Sequence, residues 1–290
     1  MKPCFLVFLF FLALGCKRSA TPDNTPIKAE TATQPRVLNE DWQARGNRIR
    51  DTNYQYLNHL LNQVLQTMEQ HKQDIAFNGH IDTSVYHFKN MYATFHFGNI
   101  FSTDKKHLVV KRFINEYDGF RGSLFADIYM LKNNGFQKVV ADTANIGYYE
   151  DTLIDINLDG FKDFMVSQYS TAGCCPRESR IAYLYDNKSG GFEPTSFFNA
   201  TFDNANKLIY EMDYGHPGEV SIEKSKWKGL SKVKIESIEP THFENRIDSF
   251  VKPYTFTKTV YPSEKQFIIK DIPSEYKKLD ILEYFLSYQR

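Results

Sequence analysis

Hydrophobic residues follow two rhythms along this chain. Over residues 40–74, Trp42, Ile49, Leu57, Leu60, Leu61, Val64, Leu65 and Met68 recur mostly at spacings of three and four. A period near 3.6 places such residues on one face of an α-helix, so the spacing predicts a helix over 40–74 with one apolar stripe. Gly46 is its weak point. Past Asn78-Gly79 the period drops to two. SVYHFKNMYATFHFGNIF (84–101) alternates aromatic and polar residues, and HLVVKRF, LFADIYML, FQKVVAD, DFMVSQY, RIAYLYD, LIYEMDY, EVSIEKSKW and QFIIKDI continue the theme. Turn signals such as Asn133-Asn134-Gly135 and Ser189-Gly190-Gly191 separate them. Many short strands at regular spacing predict a mainly β fold, an antiparallel sandwich or propeller-like sheets. A short C-terminal helix over 274–287 follows Pro273, with Leu279, Leu282, Tyr284, Phe285 and Leu286 as its apolar side.

Two stretches rhyme. ADIYMLKNNGFQKV (126–139) and RIAYLYDNKSGGFEPT (180–195) each read as a tyrosine-bearing strand, a polar turn and Gly-Phe. INEYDGFRG (114–122) echoes INLDGFKDF (156–164) in the same way. An offset of roughly fifty residues suits a repeated blade or a doubled sheet motif.

The N-terminus speaks to compartment. Lys2 precedes an apolar run from Phe5 to Leu14, and Gly15 stands just before Cys16. That run is too short to span a hydrocarbon core of ~30 Å as a helix, and it has the form of a secretory signal. Ala13-Leu14-Gly15-Cys16 resembles the bacterial lipobox. The resemblance implies a signal peptide over 1–15 and a diacylglyceryl thioether on Cys16, the first residue of the mature chain. Acyl methylenes contribute ~0.8 kcal/mol each when buried, so several chains anchor firmly. Residues 16–38 are rich in Thr, Ala, Pro and charge and read as a flexible tether. A single domain is expected over 39–290.

With Cys4 in the signal and Cys16 lipidated, the domain keeps only Cys174 and Cys175, adjacent in TAGCCPRES. In an oxidising compartment three states are open to them: a vicinal disulfide, two thiols, or a bridge to another chain. The redox spacing Cys-x-x-Cys is missing. Charge is balanced, with 35 basic and 35 acidic residues, and no basic block invites nucleic acid. His80, His87, His96 and His107 are scattered. No nucleophile elbow, phosphate loop or His-Glu-x-x-His motif is present, and no catalytic residue is assigned.

The strongest chemical signal is LIDINLDGFKDF (153–164). Counting Asp155 as position 1, Asn157 is 3, Asp159 is 5, Gly160 is 6, Phe161 is 7 and Asp163 is 9. Calcium takes six to eight oxygens from carboxylates, amides and backbone carbonyls. Alternate side chains wrap around one point, and glycine permits the sharp turn. Asp155, Asn157, Asp159, the Phe161 carbonyl and Asp163 are therefore the candidate ligands of a structural calcium ion. Position 12 is Val166 rather than the glutamate of an EF-hand, and the flanks read as strands. Asp, Asn and Gly also build polar turns without any ion. The loop resembles D-x-[DN]-x-D-G-x-x-D as found between strands in FG-GAP and related calcium repeats, where position 9 binds directly.

A wider likeness covers about 105–240. The calcium loop, RIAYLYDNKSGGF and the strands around them resemble a family of exported bacterial lipoproteins that includes immunity proteins against lysozyme-like effectors. The resemblance implies a mainly β fold, lipid anchoring in the cell envelope and, for some members, inhibition of a cell-wall hydrolase. The adjacent cysteines and long N-terminal helix depart from it. The function expected is a membrane-anchored, periplasmic, calcium-binding lipoprotein that binds an envelope protein, a lysozyme-like hydrolase among the candidates. A glycan-cleaving enzyme and a structural envelope lipoprotein are the alternatives. Lys17-Arg18-Ser19 after the cysteine lacks an inner-membrane retention aspartate and favours the periplasmic face of an outer membrane.

Overall fold

Helix α1 spans Trp42–Gln70, four residues shorter at its C-terminal end than the apolar spacing suggests, and it continues through Gly46. The computed structural model describes residues 42–82, 90–115, 123–144, 148–169, 178–214, 220–241 and 255–287. From Ile49 onward the chain is one unit. Leu57, Leu60, Val64 and Met68, at spacings of three and four, are buried. The helix stops where the His71 N–H turns to the Met68 carbonyl, three residues back instead of four.

Three antiparallel meanders follow, so the mainly β expectation holds, and none closes into a barrel. The first sheet contains β1 (Ala76–Asp82), β2 (Asn90–Gly98), β3 (His107–Asn115), β4 (Ser123–Lys132) and β5 (Gly135–Ala144), in chain order. The second contains β6 (Tyr148–Ile154), β7 (Asp163–Tyr169), β8 (Glu178–Asp186) and β9 (Gly191–Phe198). The third contains β10 (Thr201–Asp203), β11 (Leu208–Tyr214), β12 (Val220–Lys228), β13 (Ser231–Pro240), β14 (Phe256–Val260) and β15 (Lys265–Ile269). The C-terminal segment is broken: one 3-10 turn at Ser274–Tyr276, then α2 over Ile281–Ser287.

Alternation along the strands sends successive side chains to opposite layers. Leu108 and Val110 of β3 pack with the helix, whereas Val109 and Phe113 meet the second sheet. On β7, Phe164 and Val166 face the first sheet, and Met165 faces the third. On β11 and β12, Ile209 and Trp227 join the second sheet, whereas Tyr210, Met212 and Ile222 pack with Tyr276, Leu282 and Phe285. The layers therefore run helix, five-stranded sheet, four-stranded sheet, six-stranded sheet, C-terminal helix. Two covered faces explain why β4 reads as an almost unbroken apolar run.

The sequence rhyme is half structural. ADIYMLKNNGFQKV is the β4–β5 hairpin and RIAYLYDNKSGGFEPT the β8–β9 hairpin, the last two strands of consecutive sheets. Asn133 and Asn134 both have positive φ, the conformation of a two-residue hairpin turn that suits strand twist. The second rhyme does not match in position, because 114–122 follows β3 whereas 156–164 leads into β7.

One polar cluster lies under α1. Arg112 of β3 donates from Nη1 to the Leu57 carbonyl (3.0 Å) and pairs through Nη2 with Asp127 of β4 (2.5 Å), which also receives Lys138 (2.6 Å). Arg112 and Asp127 are buried, so removing one partner leaves an uncompensated charge and costs about 3–5 kcal/mol. Nearby, Gly79 leaves room for a ring: a Cβ there would sit 2.0 Å from Cζ of Phe95, its cross-strand partner.

Asp127→Leu is expected to lower stability by about 3–5 kcal/mol in urea unfolding, and Arg112→Leu in the same chain to restore most of it. Gly79→Ala is expected to cost about 1–3 kcal/mol by overpacking, with a smaller loss once Phe95 is also changed to Leu.

Candidate metal loop

Residues 155–162 join β6 to β7 at the edge of the second sheet. Ile156 is buried with Leu184 and Ile209, between the second and third sheets, and Phe161 packs near Tyr185 on the side of the first. Between these two apolar anchors the chain must turn sharply. Leu158 has φ +60° and Gly160 φ +95°. Nothing lies within 4 Å of a Cβ at Gly160, so backbone conformation rather than space calls for glycine there.

The acidic side chains organise the turn. Asp155 accepts from the Asp159 N–H (3.0 Å) and the Gly160 N–H (2.8 Å). Asp159 accepts from the Phe161 N–H (3.0 Å) and from the Asn157 amide nitrogen (2.9 Å). Asp163 has no exposed surface and accepts the Ile156 N–H on one oxygen (2.8 Å) and the Tyr185 N–H on the other (2.9 Å). It thus ties the start of the loop and strand β8 to the start of β7. Lys207, from the β10–β11 turn, donates to the Leu158 carbonyl (3.1 Å). The third sheet therefore touches the loop as well.

Asp155, Asn157, Asp159, Phe161 and Asp163 are thus one local structure, as their spacing suggests. Among the described residues no three acidic, histidine or cysteine side chains converge as a metal cluster, because each aspartate faces backbone N–H groups. Two observations nevertheless match a hard cation. The buried Asn157 leaves its Oδ1 with no hydrogen-bond partner while its side chain abuts Asp159. Burial, and then the nearby Asp159 and Asp155 carboxylates, push Asp163 up to about 6 against the pull of its two N–H donors. An all-oxygen set with an orphaned amide oxygen fits calcium. A carboxylate oxygen that accepts one N–H keeps a further lone pair for a cation.

Other expected features fall elsewhere. Cys16, Cys174 and Cys175 lie outside the described residues. Residues 170–177 begin where β7 ends at Tyr169, and the loop lies before its first residue, Asp163. Six steps of ~3.3 Å separate the two ends by about 20 Å, so the cysteine segment is not beside the aspartate loop. The histidines do not gather: His96 binds Asn78, His80 lies by Tyr92, and buried His107 meets the Gly190 carbonyl (3.1 Å). His107 stands at the head of β3 as Asp163 does at the head of β7, so the first sheet lacks the carboxylate at this place. Sequence reasoning missed the Arg112–Asp127 pair, because HLVVKRF reads simply as an alternating strand. No protein-family model and no curated protein matches the chain.

The raised Asp163 sets a pH dependence for metal-free protein. Its folded value of about 6 lies above the ordinary 3.8, so the folded state takes up the proton before the unfolded chain does. Ionisation thus opposes folding by about 3 kcal/mol above pH 6, and this opposition fades as pH falls toward 4. Urea unfolding in chelator at pH 7 and pH 5 is expected to show this group's gain at pH 5, and Asp163→Asn to lack it. Asp163→Ala is expected to lose about 2–4 kcal/mol at either pH, because two N–H groups lose their acceptor.

Proposed function

We propose that the protein is a calcium-stabilised β module, exported and held to a membrane by lipid on Cys16, that works by binding another envelope protein. Asp155, Asn157, Asp159, the Phe161 carbonyl and Asp163 hold the ion. The observation that carries the calcium assignment is the buried, unpartnered Asn157 Oδ1 beside the Asp159 carboxylate. Bound calcium supplies positive charge where Asp163 is desolvated next to two other carboxylates. Its role is structural: the loop touches the first sheet through Phe161 and the third through Lys207 and Ile156, so an ion there braces all three layers. The lipobox-like start and the likeness to exported immunity lipoproteins support the envelope placement and a lysozyme-like hydrolase as partner. The glycan-cleaving alternative has no group of residues to carry it.

A ligand that binds only the folded state at one hundred times its Kd adds about 2.7 kcal/mol. Calcium is therefore expected to raise the melting temperature by several degrees, chelator to reverse the rise, and Asp159→Ala to abolish the response. Identical melts with calcium and with chelator, on protein shown to be metal-free, overturn the assignment. For the partner, a stoichiometric loss of muramidase activity on adding the mature chain is expected with at least one lysozyme-like enzyme. Undiminished activity across a broad panel removes that partner class.

A further inference from the structure

The second sheet ends one strand early. It has four strands against five in the first, and β5 lies against β9 at the far side, so the mismatch falls at β6 and β1. Both are edge strands with one row of backbone groups outside the ladder. Between them lies a groove of about 280 Å³, with Asn78, Thr94 and His96 on the first sheet, Asp151 and Leu153 on β6, and Phe164 at its floor. Leu153 is paired with the fully buried Phe164 and shares its face, yet it is 39% exposed. Ile154, on the opposite face of β6, is 45% exposed. Apolar side chains on both faces of one edge strand are what an additional neighbouring strand would cover. Thr94 adds a buried hydroxyl with no hydrogen-bond partner at the same place.

We propose that this groove is the docking site for an extended segment of a partner protein, which pairs with β6 as a fifth strand of the second sheet and directs an acidic side chain toward Lys162. The inference deepens the protein-binding reading above and rests on it. Strand addition uses main-chain hydrogen bonds for affinity and alternate side chains for selectivity. Charge selects the occupant. Lys111 and Asp151 pair across the groove (2.8 Å) and offset one another. Lys162 is exposed, lies close enough to His96 to act on its charge, and has no ion-pair partner among the described residues. The local surplus is therefore positive. A second copy fits poorly, because antiparallel self-pairing centred on β6 sets Asp151 against its own counterpart, and like charges directly opposite destabilise.

The test uses the calcium-loaded mature chain and two pools of end-blocked nonapeptides. Both alternate Val, Thr or Phe with charged positions, filled by Glu or Asp in one pool and by Lys in the other. Fluorescence polarisation is expected to show binding of the acidic pool at least tenfold tighter than the basic pool. Hydrogen exchange is expected to show new protection on β6, and Leu153→Lys to weaken binding at least tenfold without shifting the calcium-dependent melt. Absence of binding, equal binding of both pools, or protection on another edge such as β15 overturns the proposal. So does a concentration-dependent dimer that protects β6 without peptide. A melt that ignores calcium in the same samples sinks the calcium assignment alone, and a normal calcium response without peptide binding sinks the groove alone.

Discussion

A carboxylate with no exposed surface, Asp163, accepts N–H groups from the loop and from β8 at once. Those two bonds set where β6 ends, where β7 begins and how both stand against β8. Burial and two neighbouring aspartates oppose the charge that makes the bonds strong. The loop is thus built on a conflict between hydrogen bonding, which wants the ionised form, and desolvation, which does not. A divalent cation resolves it, and Asn157 already offers an oxygen that nothing else uses.

The rest of the molecule gives that conflict its reach. Each sheet is a simple meander, and stacking supplies its stability, since both faces of every strand must find an apolar neighbour. The aspartate loop, the β8–β9 turn, and the β10–β11 turn carrying Lys207 lie at one end of the stack. Local order at this end is therefore shared by three layers. The Arg112–Asp127 pair does the corresponding work between α1 and the first sheet, where it fastens β3 and β4 to a helix carbonyl.

Periodicity revealed much of this fold because the stripe from Leu57 to Met68 and the alternation in β2 and β3 are local consequences of burial. The aspartate loop was legible because its ligand spacing and its glycine lie within nine consecutive residues. Stacking order was not legible. It depends on which face of each strand meets which sheet, and runs such as LFADIYML look alike whether one face or both are covered. The open edge at β6 was equally hidden, since it follows from a difference in strand number between layers. The second rhyme, INEYDGFRG against INLDGFKDF, misled because Asp-Gly-Phe suits a turn at either end of a strand.

The most direct measurement is isothermal titration of calcium into metal-free mature protein at pH 7.5, with bound calcium counted after gel filtration. The account predicts one calcium ion per chain, and none in the Asp155→Ala, Asp159→Ala double variant. No binding by the folded wild-type chain, or undiminished binding by that variant, would contradict it.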